Sequence, residues 1–164
     1  PTYAGGISDG FIAKLSTNGD QLLHSTYYGR SGFDQTYLIK LDRANAPYVM
    51  GLTDASGTSW VQNATWYTTN GGQFISKLST NLSQVIWSTA FGTGNIGPDI
   101  SPTALLVDLC KNIYVSGWGS PRVNSNIGNN TGGTSGLPIT IDAFQTTTDN
   151  NDFYFFSISK TPPV

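Results

Sequence analysis

Two stretches of the chain are near copies: "FIAKLSTNGDQLLHSTYYG" from Phe11 to Gly29 and "FISKLSTNLSQVIWSTAFG" from Phe74 to Gly92, 63 residues apart. A chain that repeats a hairpin-sized segment folds as repeated units, each burying its faces against its neighbours. In the first copy Phe11, Ala13 and Leu15 alternate with Ile12, Lys14 and Ser16, the period of two of a β-strand. Asn18-Gly19 supplies the positive φ of a tight turn, and "LLHSTYY" returns as the second strand. In the second copy Asn81 can take the left-handed conformation, but Leu82 stands where Gly19 did, which predicts a different turn type.

Another unit is interleaved with this one. "YLIKLDRANAPYVMGLT" from Tyr37 to Thr53 is echoed by "ALLVDLCKNIYVSGWG" from Ala104 to Gly119, so that Asp42 matches Asp108 and Tyr48-Val49 matches Tyr114-Val115, at an offset of 66. Each reads as an apolar strand ending in an Asp that can cap the turn backbone, then a Tyr-Val-x-Gly strand. The change of offset falls in the loop "GTGNIGPDISP", where insertion costs little. A third partial copy closes the chain, with "NDFYFFSIS" resembling "SDGFIAKLS" and "DAFQTTTDNND" resembling "ATWYTTNGG". Two alternating hairpins make a four-stranded repeat, the unit of a β-propeller blade.

Composition agrees. Charged residues make up 11% of the 164, against roughly 25% in an average soluble protein. Every acid is Asp, and the missing Glu and scarce Lys remove the usual fillers of exposed helix faces. Gly, Asn, Ser and Thr alternate with 12% aromatics, and the class is all-β. A net charge of −2 without a basic run excludes a nucleic-acid partner. No apolar run reaches about 18 residues, so no membrane insertion is expected. A neutral-polar surface poor in Lys and Glu suits an extracellular protein. Pro1 in place of a start Met predicts a removed leader or a larger parent chain.

Few residues invite a chemical role. Asp149, Asn151 and Asp152 are candidate calcium ligands, because calcium takes six to eight oxygens; the plainer reading is a polar turn entering a strand. His24, the only histidine, stands where the sister copy has Trp87, which points to packing. Cys110, the only cysteine, matches Ala44 and lies in a turn; it is an inert thiol or pairs outside these residues. The stretch from Gly119 to Asp152 is least like the repeat and reads as an ornamental insertion or a contact surface. In it Arg122, Asn129 and Asn130, with Trp118 at the entrance, are candidate contacts to a partner or a sugar ring. Asn63, Asn81 and Asn129 open N-x-Ser/Thr sequons. Lys14 and Lys77 share one repeat position, and Asp42 and Asp108 another. Symmetric charges mark architecture, since a catalytic constellation would break the symmetry. No catalytic residue and no cofactor is expected.

The segments "DGFIAKLSTNG", "STYYG" and "YVMGLT" resemble the bacterial SBBP β-propeller repeat. "LLVDLCKNIYVSGWG" with "GLPITIDAFQTTTDNNDFYFF" is similar to the version in very large secreted surface proteins of gliding-type Bacteroidetes. The likeness covers nearly the whole chain, and its motifs are structural. It implies strand order within a blade: the Leu-Val-Asp strand innermost, then Tyr-Val-x-Gly, then Phe-x-x-Lys-Leu, then Ser-Thr-x-x-Gly outermost. On that phase 1–33 carry the outer two strands of a blade, 34–92 a complete blade, and 93–164 three strands of a further blade with a long insertion at 119–152. The expected fold is therefore an incomplete propeller of four-stranded antiparallel blades, about two in all, counting nine strands. The expected function is a non-enzymatic extracellular structural or adhesion module, a segment of a large secreted surface protein. Its partners would be other segments of the parent chain, further copies of itself, or surface glycans. The alternatives are a self-assembling filament subunit that completes its blades by strand sharing, and a propeller that binds or degrades polysaccharide.

Overall fold

The computed structural model describes residues 5–119 and 132–159, and within them the chain is all-β, with ten strands and no helix. The strands are β1 (Gly6–Ser8), β2 (Gly10–Leu15), β3 (Leu22–Tyr28), β4 (Gly32–Leu41), β5 (Pro47–Thr53), β6 (Gln73–Leu78), β7 (Val85–Phe91), β8 (Ile100–Val107), β9 (Ile113–Gly119) and β10 (Phe153–Ile158). They form three open sheets: β2-β3, β1-β4-β5-β6-β7 and β8-β9-β10. All pairings are antiparallel except β1 with β4, which is parallel.

The copies match down to their irregularities. A β-bulge interrupts the register between Lys14 and Leu15 in β2, and another between Lys77 and Leu78 in β6. The β4 register breaks between Thr36 and Leu38, and that of β8 at the matching Pro102 and Ala104. Asn45 and Lys111, equivalent turn residues, both have positive φ.

The turn after β6 corrects the sequence expectation. Leu82 itself takes the left-handed conformation, φ 59°, at the place where Gly19 has φ 77°. The hydrogen bonds agree: Gly19 N–H donates to the Ser16 carbonyl at 3.0 Å and Leu82 N–H to the Ser79 carbonyl at 2.9 Å. The Ser16 and Ser79 hydroxyls likewise accept from the Gln21 and Gln84 N–H groups. The turn type is thus the same. Leu tolerates a conformation that costs it about 1–2 kcal/mol because its side chain is 92% buried in an apolar cluster.

The five-stranded sheet is the middle layer. On one face Val49, Phe74, Leu78 and Ala90 pack with Ile12 and Tyr28 of the β2-β3 hairpin and with Trp60. Trp60 stacks on Phe74 with ring centroids 3.8 Å apart and donates its indole N–H to the Thr53 hydroxyl at 2.9 Å. On the other face Tyr48, Met50, Ile75 and Phe91 pack with Ile100, Val107, Ile113, Val115 and Leu137 of the third sheet and its loop. Every residue of β5 is buried, as a strand paired on both edges and covered on both faces must be.

The sheet also differs from the four-stranded antiparallel unit read in the sequence, because β1 adds a fifth strand beside β4. Three residues, two of them without apolar alternation, give no periodic signal. Backbones approach so closely here that a Cβ on Gly6 would lie 2.2 Å from Gly32 N, so only glycine fits.

Candidate functional site

Polar groups in the interior come first, since buried charge marks either function or a structural joint. Asp34 and the equivalent Asp99 are both buried where the chain passes from one sheet to the next. Asp34 accepts the Arg30 N–H, and Asp99 accepts the Thr93 N–H and hydroxyl, each at 2.8 Å. Nearby, Asp54 caps the Phe33 N–H at 2.7 Å. Burial pushes the Asp34 carboxyl above its ordinary 3.8; the Thr53 hydroxyl and the Arg30 N–H pull it back, while the charges of Asp54 and Asp9 push it further up. Asp99 is also raised by burial, against the pull of Thr93. One carboxylate per repeat, each capping a turn, forms a joint between sheets.

The second polar node lies at the turn between the first two strands of the middle sheet. Asp42 accepts the Ala44 and Ala46 N–H groups at 2.9 and 3.0 Å and pairs with Lys77 Nζ at 2.7 Å. Lys77 also sits 5.0 Å from the centre of the Tyr48 ring. Burial alone would raise Asp42, but the Lys77 hydrogen bond, the two N–H donors and the Lys77 charge outweigh it and lower its pKa. Burial alone would lower Lys77; Asp42 and Tyr48 outweigh it and raise its pKa. In the third sheet Asp108 keeps the turn without the lysine. Asn112 donates from its backbone and side chain at 2.8 Å and the Tyr114 hydroxyl at 3.3 Å, because Ser157 stands where β6 has Lys77.

What remains open is surface of an unusual kind. Phe11 and Leu15 on the outer face of β2 are 57% and 55% exposed, whereas the equivalent Phe74 and Leu78 are 0% and 1% exposed. At the other end of the stack Phe155 is 67% exposed, while its equivalents Ile12 and Ile75 are buried. Phe155 shares its face with Phe153, and Phe153 is in register with Trp118. A cleft of about 410 Å³ opens between β7 and β10, lined by Trp66, Trp87, Lys77, Lys111 and Ile158 among others.

Of the residues singled out in the sequence, Trp118 is 40% exposed on this outer face of β9. Arg122, Asn129 and Asn130 lie outside the described residues. Asp149 accepts the Asn151 N–H at 2.9 Å, and the Asn151 amide donates to the Asp149 carbonyl. Asp152 takes a 3.4 Å contact from Gln145, and its carbonyl accepts the Gly119 N–H. Among the described residues no three His, Cys, Asp or Glu side chains gather as a metal site would need. His24 is exposed on β3, and Cys110 is an exposed free thiol. No described helix is long and apolar enough to cross a membrane.

Sequence reasoning missed the Asp34 and Asp99 joints and the Trp66–Trp87 cleft. The likeness read between "DAFQTTTDNND" and "ATWYTTNGG" has a structural counterpart in the loop before β10. Asn150 accepts the Ser135 N–H as Asn70 accepts the Gly57 N–H, and both asparagines have positive φ. Leu137 and Trp60 each drop from these loops into an inter-sheet core. The matched Gly29 and Gly92 precede Asp34 and Asp99, but by five and seven residues, so neither repeat offset aligns the pair. No family model matches the chain, and no curated protein matches it.

Proposed function

We propose that this chain is a non-enzymatic structural module, a run of SBBP-type propeller blades from a large secreted bacterial surface protein that serves adhesion or assembly. One observation carries the reading. Both ends of the stack present, bare, the apolar positions that the next sheet buries inside it: Phe11 and Leu15 at one end, Phe155 at the other. Exposed apolar faces of this kind belong to contacts, and in stacked repeats the natural contact is another repeat. The carboxylates support a structural role as well, because Asp34, Asp42, Asp99 and Asp108 serve turns and joints at equivalent positions.

The test is the size and place of the native protein. An antibody raised against this chain should detect a band far heavier than 17.5 kDa, and protease treatment of intact cells should remove it. A native band of about that mass, protected inside the cell, overturns the proposal. A polysaccharide-binding reading has one observation in its favour, the cleft with Trp66 and Trp87 beside Lys111, since aromatic faces and cations suit sugar rings with acidic groups. Titration with acidic and neutral polysaccharides, followed by tryptophan fluorescence, decides it: saturable quenching lost in Trp66→Ala supports it, and no quenching removes it.

A further inference from the structure

The β2-β3 hairpin lacks the two strands that its sister has. In the middle sheet β6 is paired on both sides, by β5 and β7, whereas among the described residues β2 is paired by β3 alone. Two more differences occur at the same place. Lys77 holds Asp42, which lies across β5 at the end of β4; the equivalent Lys14 is exposed and makes no ion pair among the described residues. Ile39 and Leu41 on β4 are 56% and 53% exposed, yet their equivalents Leu105 and Val107 on β8 pack into the inter-sheet core, Val107 with 8% exposure. Val107 and Leu105 are covered because the middle sheet has inner strands to lay against β8, and β4 lies against β8 directly. Ile39 shares its face with its register partner Val49, the face turned toward β2-β3. An open strand edge, a lone cation and a bare apolar strip thus surround one notch.

The geometry points to a single occupant: a β-hairpin of the inner type, an apolar strand ending in Asp, a short turn and a Tyr-Val-x-Gly strand, supplied by a further repeat. Its second strand pairs with the free edge of β2 as β5 pairs with β6. Its first strand covers Ile39 and Leu41 as β4 covers Leu105 and Val107. Its Asp meets Lys14 as Asp42 meets Lys77. The occupant is set by continuity with an interface already present in the molecule and by charge complementarity. A second copy of this chain fits less well, because its own inner hairpins are committed: β5 is paired by β4 and β6, and β9 by β8 and β10. The inference rests on the repeat reading but not on secretion or adhesion, so it can fail while the surface-protein proposal stands.

The probe is a synthetic peptide of the sequence Ile100–Gly119 carrying Cys110→Ser, titrated into the whole chain. The expected result is saturable one-to-one binding, weakened at least tenfold by Lys14→Glu. Peptide with Asp108→Lys should fail on the native chain and recover on Lys14→Glu, a rescue that mere stickiness cannot give. Because an isolated hairpin is marginally stable in water, a second variant fuses the same segment ahead of residue 5 through a Gly/Ser linker. It should protect from hydrogen exchange those β2 amides that do not bond to β3. Absence of protection in the fusion overturns the proposal, and so does peptide binding indifferent to the charge swap. Self-association of the unmodified chain that depends on Lys14 overturns it too, by making a second copy the occupant.

Discussion

The β2-β3 and β6-β7 hairpins share their sequence pattern, turn and bulge, and differ in what surrounds them. Phe74 is fully buried between Trp60 and Tyr28, with rings stacked on one side and edge-on at the other; Phe11 is 57% exposed, its ring tilted against Tyr27 with centroids 6.1 Å apart. One sequence thus yields a core in one place and a surface in another. The lesson is that in a repeat protein the hairpin specifies the faces, and the neighbouring repeat decides whether they become a core.

The largest way to break this comparison is to delete the two phenylalanines separately. Phe74→Ala should cost about 3–5 kcal/mol, and Phe11→Ala less than about 1 kcal/mol, since half its surface already meets water. Urea unfolding of the two variants checks it. Equal losses would mean that Phe11 is covered in solution, and the end face would then be an occupied interface.

The lysines repeat the contrast with smaller stakes. Lys77→Met strands the carboxylate of Asp42, whose side chain has no exposure. Breaking such a pair costs about 3–5 kcal/mol, and Asp42 keeps two N–H donors, so the lower end applies. Lys14→Met should change stability by less than about 0.5 kcal/mol. Matching denaturant midpoints for the two variants would sink the view that Lys14 lacks its Asp.

Much of this was legible in the sequence, for reasons that the residues make plain. Period-two alternation and Asn18-Gly19 announced the first hairpin, and the offset between Asp42 and Asp108 announced the second. Leu82 misled because the rule against a branched residue at positive φ is local, while the burial that overrides it comes from a cluster that includes Ile12, Val49 and Trp60, distant in sequence. The Leu137 and Trp60 equivalence was hidden because their loops differ in length, so alignment fails where geometry does not. Strand β1 left no signal, because a parallel pairing built on Gly6 and Gly32 depends on the absence of side chains. The cleft near Trp66 and Trp87 joins residues of separate sheets, which no spacing along one strand reveals.

Acid should separate the two kinds of aspartate, with a smaller net effect because they oppose one another. Asp34 and Asp99 are raised, so the folded chain holds their protons more tightly than the unfolded chain. Their contribution is full below the ordinary 3.8 and is lost as pH rises through the raised values. Asp42 and Asp108 are lowered, so their contribution is present above 3.8 and is lost as pH falls through the lowered values. Acidification from neutral pH toward 3.8 should therefore stabilise the chain, and further acidification should reverse the trend. Asp34→Asn should shrink the first limb and leave the second. Denaturant midpoints across the pH range test this, and an unchanged first limb in Asp34→Asn would remove Asp34 from the account.

The smallest expected effect sharpens the comparison most, because it concerns one position in two settings. At φ 59° Leu82 carries strain that Gly19 does not, yet Leu82 reaches a buried cluster while nothing lies within 4 Å of a Cβ placed on Gly19. Leu82→Gly relieves about 1–2 kcal/mol of strain and gives up about 1.5–3 kcal/mol of buried side chain, a net loss of about 1 kcal/mol. Gly19→Leu takes on the same strain with no cluster to enter, and should cost the full strain of about 1–2 kcal/mol. If Leu82→Gly instead stabilised the chain, the cluster around Leu82 would be worth less than the backbone strain. The turn after β6 would then be an inherited form kept against its own residue. If both variants lose stability, each turn is tuned to its surroundings: the bare hairpin keeps glycine because it has nothing to bury, and the covered hairpin accepts leucine because its neighbour gives it a place to go.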